Sequence, residues 1–243
     1  MTGTTYDGRL EFVVSGRLWR RAQRPPLSLT VLERPDGLLA IPTDQSGGTR
    51  GGDRLQIEVV VDQGGRVDWM APASALYFPS ADRNGVCLVR TRLEVAEDSR
   101  LTFVPKVSIP CAGAHVDQTV EIDVASGADF TYWDGWADGR TGSGERGAFG
   151  SMANHLEFRL DGRVIFRERW RLEGGSTLFA GKPDPAGFGG ACQWFLGLAV
   201  GDQGKESLRL RVERWTAAGD PAEFGELAEG VWIARALPRR PWG

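Results

Sequence analysis

Apolar and polar residues alternate along most of this chain. Leu55-Gln56-Ile57-Glu58-Val59 steps between the two classes before ending in Val60-Val61, and Val86 to Val95 behaves in much the same way. Thr119-Val120-Glu121-Ile122-Asp123-Val124 alternates without exception. A period of two with many β-branched residues predicts strands that bury one face. Val164-Ile165-Phe166 and Leu208-Arg209-Leu210-Arg211-Val212 read as further strands. Helical periodicity is scarce, and the one helix expected, a short one, runs near Pro221 to Ala228. The intervening segments are rich in Gly, Asp, Ser and Asn, the residues that form turns.

A repeat underlies the pattern. Val61, five residues and Val67-Asp68-Trp69 match Val95, five residues and Leu101-Thr102-Phe103; both match Val124, five residues and Phe130-Thr131-Tyr132. The units are 34 and 29 residues apart. Each is a strand, a polar turn and a second strand with an aromatic two places past its first apolar residue. Recurrence on this scale predicts stacked units that share one core, with Trp69, Phe103 and Tyr132 along one face. The expected fold is therefore all-β: stacked strands in a β-helix-like layout with one or two short helices. A sandwich built of meander hairpins is the alternative. No linker or shift in composition divides residues 1–243, so one domain is expected.

Composition narrows the function classes. The 243 residues are 41% hydrophobic and 25% charged, the balance of an ordered globular protein. A net charge of −3 disfavours sequence-independent binding to nucleic acid. Met1 to Asp7 lacks the basic and apolar regions of a secretory signal, and the densest apolar run, Trp194 to Val200, is too short to span a bilayer. Cys87, Cys111 and Cys192 are widely spaced and form no CxxC pair. These features suggest a reduced, cytoplasmic protein with no membrane partner.

Catalytic chemistry finds little support. The two histidines, His115 and His155, lie in no metal-ligand motif, and no GxSxG elbow presents a nucleophile. Cys111 and His115 are weak metal candidates, since two ligands do not close a site. No carboxylate pair stands out, so a hydrolase is a remote third reading. Gly47, Gly48, Gly51, Gly52 and Asp53 form a Gly-rich loop that leads into a strand rather than a helix, which argues against a phosphate cradle. Its glycines instead suit a backbone with positive φ or close packing, and Asp53 is placed to accept N–H bonds within the loop. Gly139, Arg140, Gly144 and Glu145 make a second such turn, with an expected Arg140–Glu145 ion pair. Nine tryptophans leave a further possibility: Trp133 and Trp136, read as loop residues, would let an all-β module stack on a glycan or other ligand.

The order of these motifs resembles the urease accessory protein family called UreD, or UreH. Gly8-Arg9-Leu10-Glu11-Phe12 and Pro26-Leu27-Ser28-Leu29 look like its opening strands. Ser46-Gly47-Gly48 with Gly51-Gly52-Asp53 matches its most recognisable signature, and Gly139-Arg140 with Gly144-Glu145 and Phe149 matches its second. Leu101 to Ile109, Asp161 to Arg169 and Gly230 to Arg235 resemble later strands. Leu76 stands where the family usually has a Lys before Tyr77. The resemblance implies a β-helical maturation factor without catalysis of its own. Such a protein joins a UreF-like accessory protein and a UreG-like, nickel-carrying GTPase on apo-urease. Together they promote carbamylation of the active-site lysine and nickel insertion. It further implies a cytoplasmic scaffold-chaperone that meets nickel in transit and binds no cofactor tightly.

Overall fold

The alternating segments pair side by side in parallel, rung upon rung. The structure is a computed structural model, and it describes residues 5–105, 107–175 and 193–238; Cys192 and Trp242 lie outside them. Two hairpins open the chain: β1 (Asp7–Ser15) with β2 (Leu18–Arg24), and β3 (Leu27–Arg34) with β4 (Gly37–Asp44). Three rungs follow. The first is β5 (Thr49–Arg50), β6 (Arg54–Val61) and β7 (Arg66–Met70). The second is β8 (Ala75–Phe78), β9 (Val86–Val95) and β10 (Arg100–Val104). The third is β11 (Ser108–Pro110), β12 (His115–Val124) and β13 (Asp129–Ala137). The chain closes with β14 (Ser151–Leu160), β15 (Arg163–Glu173), β16 (Gln193–Val200), helix α1 (Gly201–Ala217), β17 (Ala222–Ala228) and β18 (Val231–Ala236).

Equivalent strands of successive rungs lie next to each other. One sheet runs β15-β14-β12-β9-β6-β1-β2 and the other β17-β18-β16-β13-β10-β7-β4-β3, while β5, β8 and β11 form a narrow third side. Both sheets are mixed, parallel through the rungs and antiparallel towards their ends, and neither closes into a barrel.

The register explains the sequence repeat. Val61, Val95 and Val124 are direct neighbours in one sheet, and Trp69, Phe103 and Tyr132 are direct neighbours in the other. All six are buried in the same core. The three rings stack with centroids 5.3 and 6.1 Å apart. Parallel rungs superpose like on like, so a stacked aromatic column needs the same residue class once per rung.

Two assignments from the sequence are overturned. Leu208 to Val212 is helix, not strand, and lies within the 17 residues of α1. Its buried residues are Gly204, Leu208, Val212 and Trp215, a three- and four-residue spacing, while Leu210 faces solvent. Arg209 bridges to Glu206 and Glu213, one turn away on either side. The helix covers the outer face of the second sheet, packing on Trp133, Phe195 and Ala234. Conversely, the segment expected as helix from Pro221 to Ala228 is β17, which pairs with β18 across a turn at Gly230.

Candidate functional site

The first Gly-rich loop is a corner of the coil. Gly48 sits at φ +141° against the Phe78 ring and the Leu76 carbonyl, where a Cβ would come within 2.5 Å of that ring. Gly51 and Gly52 donate to the carbonyls of Phe78 and Val86 at 2.9 and 3.0 Å, tying the first rung to the second. Gly47 marks the turn at φ +75°. Asp53 is 1% exposed, and its carboxylate accepts the N–H groups of Tyr6 and Arg50, both at 2.7 Å. The acid is thus a structural post, as the sequence suggested.

The second loop does the same job farther along that side. Gly139 has φ +129° and lies so close to the Glu145 carbonyl that no side chain fits. The expected ion pair forms: Arg140 Nε donates to Glu145 Oε2 at 2.9 Å, and Nη2 donates to Oε1. That hydrogen-bonded guanidinium holds the Glu145 carboxyl below its ordinary range. Glu145 also accepts the Ala112 N–H at 3.2 Å, so it clasps the turn that carries Cys111. Gly144 turns the chain at φ +71° with open space around it. Successive corners are stitched by Cys111 N–H to Tyr77 O, Gly113 N–H to Ala148 O and Gly150 N–H to Ala114 O, each 2.8 Å. Both signatures therefore belong to one spine of stacked corners, a relation the sequence separation conceals.

The weak metal candidates lie on this spine. His115 begins β12, with Nδ1 2.9 Å from Ser151 Oγ and its ring against Gly150. Cys111 is buried in the preceding turn, and burial pushes its thiol up. Burial likewise raises Cys87 to about 12, helped by Asp53 and Cys111 nearby. A thiol held protonated is a poor metal ligand, because the thiolate is the binding form. Among the described residues no group of three or more His, Cys, Asp or Glu is arranged to hold a metal ion.

A polar layer crosses the interior and was not foreseen. Gln118 of β12 and Asn154 of β14 are register partners, and Gln118 Nε2 donates to Asn154 Oδ1 at 3.2 Å. The same amide donates to Asp134 Oδ2 of β13 at 3.0 Å, and Trp136 Nε1 reaches that oxygen at 3.2 Å. Apolar layers lie on both sides, Val120 and Leu156 on one, Val116 and Met152 on the other. Burial raises the Asp134 carboxyl to about 6, with the nearby Glu168 adding to the rise and hydrogen bonds from Trp136, Gly135 and Gln118 opposing it.

Next to this layer the two sheets part. A groove of about 740 Å³ opens there, lined by Glu168, Trp170 and Leu172 of β15 and by Leu196, Ala222 and Arg235 on the opposite side, among others. Trp170 and Trp194 line it, and their rings pack with the buried Trp136 at centroid distances of 5.1 to 6.4 Å. Arg235 Nη2 meets Glu168 Oε1 across it at 3.5 Å.

The ligand-stacking reading loses its basis here. Trp133 and Trp136 lie on strand β13, not in a loop, and are 3% and 1% exposed. Trp133 packs edge-on to Trp215 beneath α1, with the Arg211 guanidinium 4.8 Å from its ring centre. Neither ring offers a face to a sugar.

A protein called urease accessory protein UreD from Pseudomonas fluorescens is 32% identical over 212 residues, covering 86% of this chain and 74% of that protein. Proteins of the same name from Marinobacter nauticus and Rhodopseudomonas palustris are 34% and 30% identical over 215 and 200 residues; the matches cover 82% of this chain in both cases, and 70% and 69% of those proteins. The family described as UreD urease accessory protein matches residues 7–241, a span that takes in both Gly-rich corners, the three rungs and the polar layer. The chain belongs to the UreD urease accessory protein family.

Proposed function

We propose that this chain is a scaffold and chaperone of urease maturation. It works with a UreF-like accessory protein and a UreG-like GTPase on apo-urease, in the cytoplasm, and helps nickel reach the active site. As a urease accessory protein it is not itself the enzyme. The observation that carries the reading is the family match over nearly the whole chain, residues 7–241.

The chemistry of the site supports the same reading. The Gly-rich signatures shape the backbone and leave no nucleophile at their centre. Cys87 and Cys111 are held as thiols, which suits a protein that passes a borderline metal on rather than retaining it. Stacked rungs hold the outer faces in fixed relation, as a scaffold that docks several proteins requires.

The test is assembly from purified parts. The chain is mixed with the UreF-like protein and apo-urease and analysed by size-exclusion chromatography with mass detection. Co-elution of all three supports the proposal. Separate elution of the chain from both, at concentrations of about 10 μM where standard interfaces are populated, contradicts it.

A further inference from the structure

The strand β2 ends the first sheet, and all seven of its residues are exposed. Its ladder to β1 runs from Ser15↔Leu18 to Arg9↔Arg24. The two-residue turn Gly16-Arg17 makes Ser15 and Leu18 a hydrogen-bonded pair, and bonded pairs then alternate along the hairpin. Leu18, Arg20, Ala22 and Arg24 therefore turn their backbone groups to β1. Trp19, Arg21 and Gln23 turn theirs to the free edge, which no strand among the described residues takes up.

The side chains along this edge share one sign of charge. Arg17, Arg20, Arg21 and Arg24 fall within eight residues that include no acid. Arg24 is paired with Asp7 at 2.7 Å. Arg17 donates to the Pro35 carbonyl at 3.1 Å and Arg21 to that of Leu29, so neither of those bonds meets a carboxylate. Apolar surface accompanies the charge: Leu18 is 80% exposed and Trp19 37%. Trp19 rests on the core residue Phe12, with ring centres 6.1 Å apart.

Charged residues on an edge strand can serve only to block aggregation. That role accounts for the arginines and leaves the exposed Leu18 unexplained. A second copy of this chain fits poorly, because antiparallel pairing of two β2 strands sets arginines opposite arginines. The complementary occupant is an acidic one. We propose that the free edge of β2 receives an extended segment of a partner protein, with carboxylates facing Arg17 and Arg20 and an apolar residue over Trp19. Backbone bonds would supply affinity and the charges would select the partner.

The inference rests on the proposed function only in its choice of partner. Amide hydrogen exchange is followed across residues 18–24 in the free chain and in its complex with the UreF-like protein and apo-urease. Slowed exchange at Trp19, Arg21 and Gln23 is expected, and Arg20→Glu, at a site exposed and remote from the core, should weaken the complex about tenfold with an unchanged melting temperature. A complex that forms and leaves these amides unprotected overturns the inference while the proposed function stands. If no complex forms, the function falls, and synthetic peptides decide the inference. Protection by a Val-Glu repeat and not by a Val-Lys repeat upholds it; equal effects of the two, or none from either, overturn it.

Discussion

Replacing Asp134 by Asn should stabilise this protein at neutral pH and leave it unchanged in acid. Asp134 is 4% exposed, and its hydrogen bonds come from neutral groups, the side chains of Gln118 and Trp136 and the Gly135 N–H among them. Burial lifts its carboxyl from 3.8 to about 6. The folded protein therefore holds this proton more tightly than the unfolded chain, whose Asp titrates near 3.9. The contribution to stability is full below about pH 4, declines as pH rises to about 6, and is flat above that. A gap of about two pH units, at about 1.4 kcal/mol each, amounts to about 3 kcal/mol lost between the two plateaus. Asn is neutral throughout and keeps an oxygen to accept from Gln118 and Trp136. Urea unfolding, followed by tryptophan fluorescence at pH 4, 5, 6 and 7.5, measures the difference between the two proteins. The expected result is near zero at about pH 4, growing to about 3 kcal/mol in favour of Asp134→Asn at about pH 7.5. A difference that does not change with pH, or a variant less stable at neutral pH, would refute the reasoning.

Other substitutions probe the core and the corners. Trp69→Ala should cost about 3–5 kcal/mol in chemical denaturation, because it empties one end of the buried ring column, whereas the half-exposed neighbour Met70→Ala should change stability by only about 0.5 kcal/mol. Asp53→Ala removes two bonds to a buried carboxylate, each worth about 1.5–3 kcal/mol, and should lower the unfolding midpoint accordingly. Gly52→Val forces a β-branched residue to φ +99°; it should lower urease activation in proportion to lost soluble chain, measured by immunoblot beside ureolysis. Cys111→Ala and His115→Ala should impair activation less than Gly52→Val when scored in the same assay.

The repeat was legible because parallel stacking writes its register into the sequence. Trp69, Phe103 and Tyr132 recur at equivalent places, since each rung must present the same class of side chain to the same column. The Asp53–Arg50 bond and the Arg140–Glu145 pair were legible because they lie within one turn, whereas the bonds from Tyr6 to Asp53 and from Ala112 to Glu145 cross 47 and 33 residues and were not. Helix α1 was not, because a five-residue window at Leu208 to Val212 alternates as a strand does. The longer spacing from Gly204 through Leu208 and Val212 to Trp215 carries the helical signal. Trp133-Asp134-Gly135-Trp136 resembled a loop, yet Gly135 is a strand residue paired with Phe195 of β16, and it is glycine where the Phe195 ring leaves no room for a side chain. The polar layer draws Gln118, Asp134 and Asn154 from three strands, so only the register reveals it. One sign was available in advance: Gln118 falls in the inward phase of β12, between Val116 and Val120.

The central claim, that this chain serves urease maturation, is tested most directly by co-expression. Urease is produced with its full accessory set, with and without this chain, and the purified enzyme is assayed for nickel per active site and for ureolysis. The account predicts nickel-poor, inactive urease without the chain and restoration of both when it is supplied. Equal nickel content and activity in the two preparations, with the other accessory proteins confirmed present, would contradict it.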